Sequence, residues 1–233
     1  MSQPEHSNAA QDIDAIRGRI ASIRERRGYV LPSHAVLAAA APALLEQYEA
    51  VYNSITFDFR ALTPFEKNFV WLVVIGCAES PTGAHHLADF IKAGGTPAQV
   101  EAAAQLAMLA VGGRPLEVIA PGWQRVLPEY SGDDAYARAV ALVGGAAGLP
   151  AGAAEMALAA GHACRRDWKR VEFHIVRAKA AAVTDEALAE ALTVCILPAG
   201  NPAFVQSCGV WRTLILEGKV PVSPGFRAAI EAL

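Results

Sequence analysis

The chain has 233 residues and a formal net charge of -3; 53% of its residues are apolar and only 18% are charged. That length can bury a sizeable core as one large domain or two small ones, and the charge balance excludes the basic footprint of a nucleic-acid-binding protein. Much of the apolar excess is alanine, the best helix former, and so little charge without a membrane span suggests surface given over to subunit contacts, hence a homo-oligomer.

The first dozen residues, MSQPEHSNAAQD, are polar, show no signal peptide and read as disordered. The longest apolar runs, 35–45 and 69–78, fall short of the ~20 residues that a membrane helix needs. Cys77, Cys164, Cys195 and Cys208 lie far apart with no C-x-x-C, a usage that predicts reduced, buried thiols in the cytoplasm rather than a disulfide framework or a zinc site.

In chain order, Ile13, Ile16, Ile20 and Ile23 recur at helical spacing and predict an amphipathic helix over about 10–27, with arginines on its other face. Ser33 is placed to cap a helix through the alanine run, and Pro42 to restart it toward about Ser54. Thr63-Pro64-Phe65-Glu66 is a strong helix start, with Thr as cap, Pro in the first turn and Glu reaching back, so Glu66 has a capping role from the outset. An apolar helix follows, then a break at Ser80-Pro81, then a helix carrying His85 and His86 that stops at Gly94-Gly95. Thr96-Pro97-Ala98-Gln99 repeats the start signal for a helix to about Val111, and 115–126 reads as another helix. Pro128–Asp134 is the best candidate linker, and no strand-period alternation stands out: the expectation is an all-α protein.

Sliding the chain on itself by 88 residues aligns His86 with His174, Thr96 with Thr184, Leu109 with Leu197, Gly112 with Gly200 and Trp123 with Trp211. A histidine, a helix cap, a helix-ending glycine and a tryptophan in one register point to an internal duplication. The expected organisation is an N-terminal helical extension over 1–60 and two repeats over 61–128 and 129–233.

A glutamate near a helix start, an apolar helix, a break, a histidine opening the next helix, then Gly94-Gly95-Thr96 and another capped helix: this pattern resembles the carboxymuconolactone decarboxylase and alkylhydroperoxidase D-like superfamily. The resemblance covers 62–123 well and 155–211 faintly. It implies an all-helical fold in two tandem copies, assembly as trimers or hexamers, and active sites at helix ends near subunit boundaries. The peroxidase branch carries C-x-x-C-x-x-x-H, with a glutamate about twenty residues before the histidine. Counted back from His86, its two cysteine positions fall on Glu79 and Thr82, and disulfide exchange needs two sulfurs. The sequence therefore stands nearer the decarboxylase-like branch, with neither cofactor nor metal.

On this reading His86, held by Glu66 or Glu79, is the expected general acid/base, because an imidazole titrates near neutral pH and a carboxylate fixes its tautomer. His85 projects about 100° around the helix from it, so the two are not expected to share one pocket. Thr82 and Trp71 are candidate substrate contacts. Arg165 and Arg166, with Arg170, are candidate carboxylate ligands, guanidinium being matched to that group, against the plainer reading of a solvated cationic turn. His174 is the corresponding histidine of the second copy. His162 and Cys164 form an H-x-C with poor spacing for a metal. The expected activity is cofactor-free acid/base chemistry, decarboxylation or a related lyase, isomerase or hydrolase step, on a small carboxylate or lactone. The alternatives are a non-catalytic helical ligand-binding or assembly protein and an alkylhydroperoxidase-type peroxidase.

Overall fold

The computed structural model describes residues 13–233; the expectation for residues 1–12 lies outside it. The described chain is all-helical, with no strand. In its first part α1 spans Ile13–Arg27, α2 Pro32–Ala40 and α3 Pro42–Phe57. Pro32 occupies the first turn of α2, and the box that starts this helix is closed by His34 Nδ1 accepting from the Leu31 amide at 3.1 Å, not by Ser33. The chain divides into two compact units between Ser54 and Ile55. The first unit has its own small core of Ile23, Ala38 and Leu45.

The second unit, Ile55–Leu233, holds both of the segments that the 88-residue offset aligns. Its helices are α4 (Pro64–Cys77), α5 (Ala84–Lys92), α6 (Pro97–Gly112), α7 (Arg114–Trp123), α8 (Gly132–Ala146), α9 (Ala153–Arg165), α10 (Trp168–Ala180), α11 (Asp185–Thr193), the short α12 (Ile196–Ala199), α13 (Asn201–Leu216) and α14 (Pro224–Glu231). The ends of α4 and α9, the ends of α5 and α10, and the starts of α6 and α11 each lie 88 residues apart. Where α6 is one helix, its counterpart breaks between α11 and α12.

The start signals operate as their chemistry requires. Thr63 Oγ1 accepts from the Glu66 amide at 3.2 Å while Glu66 Oε2 accepts from the Thr63 amide at 2.9 Å; Thr96 and Gln99 repeat the exchange at α6. Ser131 caps α8 through the Asp134 amide, so the Gly-Asp-Asp stretch opens a helix instead of forming a linker turn. Propensity favours a turn there, but a cap serine followed by two acidic residues in a first turn stabilises a helix end equally well.

The core is built on α4 packed along α9, with α6 and α10 flanking them. Close approach is achieved with small residues: a Cβ added at Gly161 of α9 would lie 2.6 Å from Cys77 Sγ of α4. The packing seals Phe69, Val73, Val74 and Leu158, with Ala157, Ala159, Ala160 and Ala163 of α9, from water. A buried ion pair links α4 to α11 across this assembly. Lys67 of α4 is fully buried, and its ammonium meets Glu190 Oε1 of α11 at 2.7 Å and also donates to the Asp58 carbonyl. Glu190 Oε2 accepts in turn from the Ala61 and Leu62 amides at 2.6 and 3.0 Å. Burial works against the Glu190 charge, but the Lys67 bond and these amides outweigh it and hold the carboxyl below its ordinary range. Among the described residues no helix is long and apolar enough to cross a membrane.

Because removing one member of a buried pair strands the other charge, Lys67→Met should cost about 3–5 kcal/mol of stability by urea unfolding. A loss below about 1 kcal/mol would show that Glu190 is satisfied by its backbone partners alone.

Candidate functional site

The first-half residues singled out by sequence do not assemble into an acid/base pair. His86 on α5 is buried, 2% exposed, and stacks on Trp71 of α4 with ring centroids 4.2 Å apart and planes 12° from parallel. Its Nδ1 and the Trp71 Nε1 are buried without a hydrogen-bond partner among the described residues. Glu66 is committed to the α4 capping box. Glu79, with a left-handed φ of 52°, sits past the end of α4 and meets Arg165 Nη1 at 3.4 Å. Thr82 is exposed and pairs with Ser80 Oγ at 2.9 Å; the His85 ring lies 4.0 Å from that of His86. Burial, reinforced by His85, drives His86 down to about 3, leaving a neutral imidazole at physiological pH.

The second half does assemble one. Glu155 and His162 are seven residues apart on α9, two turns along one face, and Arg170, His174 and Arg177 recur at four and three on the facing side of α10. His174 is fully buried; its Nδ1 lies 2.7 Å from Glu155 Oε2, and Glu155 Oε1 accepts from Arg177 Nε at 2.8 Å. Tyr136 of α8 places its hydroxyl between the two imidazoles, 3.2 Å from His174 Nε2 and 3.0 Å from His162 Nε2. His162 Nδ1 then faces Asp167 Oδ2 at 3.4 Å, an ion-pair distance without hydrogen-bond geometry. The result is one continuous polar chain through the packed interior, Glu155–His174–Tyr136–His162.

Tyr136 and His162 form the floor of a cavity of about 400 Å³ lined also by Arg114, Arg165, Arg166, Asp167 and Arg170. Arg170 is buried and already engaged: it stacks over the Tyr136 ring at 4.3 Å and meets Glu117 and Asp133 at 2.6 and 3.1 Å. Arg165 reaches across to the Cys77 carbonyl at 3.1 Å as well as to Glu79. Arg114 and Arg166 pair with no carboxylate among the described residues. Arg166 holds a left-handed φ of 58° at the end of α9, a conformation that costs a non-glycine residue about 1 kcal/mol. Four guanidiniums against the carboxylates of Glu117 and Asp167 make the lining cationic, the electrostatics that suit a small anion.

Burial opposes the Glu155 charge, but the hydrogen bonds from His174 and Arg177 outweigh it and keep the carboxyl below its ordinary value. Burial also dominates at His174, against the pull of Glu155, and lowers it to about 4. Burial pushes all four thiols up, Cys77 and Cys195 to about 12, which removes the thiolate that nucleophilic sulfur chemistry needs. Among the described residues no three His, Cys, Asp or Glu side chains are placed to hold a metal ion together.

Of the residues named from sequence, His174, Arg165 and Arg166 thus belong to the cavity or its supporting chain, and His86, Trp71, Glu66, Glu79, His85 and Thr82 do not line it. Tyr136 was missed and has no local signal. Glu155, which stands one residue out of register with Glu66 under the 88-residue offset, and His162, considered above only for metal, are legible from their seven-residue spacing. No protein-family model, curated protein or solved structure matches this chain.

A buried histidine that must stay neutral lowers stability in acid. The unfolded chain takes up a proton near 6.5, the folded one only near 4, so stability is full above about pH 6.5 and is lost as pH falls toward 4. At 1.36 kcal/mol per unit, His174 alone should contribute a fall of roughly 3 kcal/mol across that window. His86 extends the same trend toward pH 3. Urea unfolding at a series of pH values checks this, and a flat profile from pH 7 to 4.5 would contradict it. His86→Phe, which keeps the stack on Trp71, should lessen the fall across the whole range below about pH 6.5 and remove most of what remains between pH 4 and 3.

Proposed function

We propose that this protein is a cofactor-free acid/base enzyme acting on a small carboxylate or lactone, with its site in the second repeat rather than the first. The observation that carries the reading is the buried Glu155–His174–Tyr136–His162 chain ending on the floor of an arginine-lined cavity. Decarboxylation, or proton abstraction beside a carbonyl, develops an enolate oxygen. The site offers neutral imidazole and phenol for the proton and guanidinium for the oxygen and for a substrate carboxylate. Enclosure strengthens both effects.

The resemblance to the carboxymuconolactone decarboxylase and alkylhydroperoxidase D-like superfamily supports the same reading. Glu155 stands nineteen positions before His174, the interval noted for that family, and the two side chains touch at 2.7 Å. Counting back from His174, the family's cysteine positions fall on Asp167 and Arg170, so in this half too the residues favour the branch without sulfur chemistry. The 88-residue recurrence of helix boundaries supports two copies of one helical unit, of which the first has an infilled apolar site around His86 and Trp71. Exposed Val118, Trp123, Val126 and Leu127 on and after α7 are apolar surface that a homo-oligomer would cover.

The test is turnover of a panel of small β-keto acids and carboxylated lactones, followed by loss of proton or of carbon dioxide. Glu155→Gln and His174→Gln should each lower kcat by about 10²–10⁴-fold with helicity by circular dichroism retained, while His86→Phe stays near wild type. Turnover lost in the His86 variant and kept in the His174 variant would overturn the assignment. A panel neither turned over nor bound would favour the non-catalytic reading.

A further inference from the structure

The hydroxyl of Tyr136 has one proton and two imidazole nitrogens within hydrogen-bond reach, at 3.0 and 3.2 Å. Two bonds with one hydroxyl proton require one histidine to donate its own Nε2–H. Glu155 decides which. Its second oxygen is held by Arg177 at 2.8 Å, so the carboxylate is an acceptor, and His174 must present Nδ1–H to it. A neutral His174 then has a lone pair at Nε2, which accepts the Tyr136 proton. Burial favours that neutral form, lowering His174 to about 4. His162 is left to donate Nε2–H to the tyrosine oxygen, which leaves its Nδ1 bare.

We propose that His162 is the residue through which this network exchanges a proton with a molecule in the cavity, at its buried Nδ1 and by way of the Asp167 carboxylate beside it, while His174 is a fixed positioning residue for Tyr136. This rests on the acid/base reading of the cavity. His162 and Asp167 both line that cavity. Nδ1 is the one ring nitrogen of the pair without a hydrogen-bond partner among the described residues, and a carboxylate oxygen stands 3.4 Å from it. A lone pair facing a carboxylate is repulsive, and a proton on Nδ1 turns the contact into an ion pair. In the reaction direction, a C–H or O–H of the bound molecule breaks, the part-exposed Asp167 carboxylate takes its proton, and that O–H breaks in turn to form the Nδ1–H bond on the buried ring. The electron pair stays on the molecule as an enolate or alkoxide beside the guanidiniums. Return of that proton to carbon or oxygen restores neutral His162. No oxidant or second reactant is needed.

The arrangement also separates the two histidines by role. His174 is bonded at both nitrogens and sealed, so it has no free site for an incoming proton. Its replacement acts through Tyr136, whereas replacement of His162 removes the exchanging atom itself.

Long-range proton–nitrogen NMR correlation of the imidazoles in the full chain near pH 7.5 reads the tautomers directly, with signals assigned by His162→Gln and His174→Gln. Should either variant fail to fold, Tyr136→Phe makes the assignment, since it perturbs both Nε2 signals and spares His174 Nδ1. The expected result is His174 protonated at Nδ1 and His162 at Nε2. His174 protonated only at Nε2, or His162 only at Nδ1, would overturn the proposal. Malonate then serves as a carboxylate probe. It should shift His162 Nδ1 and leave His174 Nδ1 in place, and a response at the 165–167 amides without one at His162 would also overturn it. Malonate that moves nothing in the cavity contradicts the carboxylate reading instead, and the tautomers then decide the present proposal alone.

Discussion

The constraint on which the second unit depends is that a carboxylate and two imidazoles are buried together and each needs a partner. Desolvating Glu155 is costly, and the protein offsets that cost by aiming His174 Nδ1 at one oxygen and Arg177 Nε at the other. Once His174 is fixed in that way, its second nitrogen must also be satisfied, which requires a hydroxyl there, and Tyr136 supplies it from α8. The same hydroxyl reaches His162. Each link is determined by the donor and acceptor count of the previous one, so the geometry is set by a chain of obligations rather than by independent contacts.

Packing makes that chain possible. The α4–α9 approach, tight enough that Gly161 has no room for a side chain beside Cys77, fixes the last turn of α9 and therefore where His162, Arg165 and Arg166 emerge. Arg165 ties that turn back to the Cys77 carbonyl at the end of α4. The Asp167 cap on the Arg170 amide starts α10 immediately afterwards, bringing Arg170 under the Tyr136 ring and His174 opposite Glu155. Two helix ends and one cap thus deliver most of the cavity's polar side chains from a single turn, with the interior of the helix pair left to apolar packing. In the first half the corresponding turn carries Glu79, Ser80 and Thr82, and the histidine that follows is spent on a stack against Trp71.

Much of the fold was legible because helix starts are local. Thr-Pro-x-Glu, Thr-Pro-x-Gln and the paired glycines act within four residues, and α4, α5 and α6 fall where those signals put them. The helix between Pro128 and Leu149 was not legible, because Ser-Gly-Asp-Asp is equally good turn chemistry and only packing of α8 on α6 and α7 decides between them. The site was legible in part. Spacing identified His174 and the Arg165–Arg166 pair, but the cleaner motif lies in the first half and pointed there. Whether Glu66 or Glu155 meets its histidine depends on one residue of register at the helix start. Thr63 engages Glu66 in a cap, while Gly152 leaves Glu155 free to turn inward. Tyr136 comes from a different helix, and no spacing rule reaches it.

The central claim is that Glu155, His174, Tyr136 and His162 form one connected buried network. A double-mutant cycle on stability between Tyr136→Phe and Glu155→Gln tests it most directly, because His174 is hydrogen-bonded to both side chains. The account requires a coupling free energy above about 0.5 kcal/mol. Strict additivity of the two substitutions, within about 0.3 kcal/mol, would mean that the chain is a set of separate contacts and would contradict it.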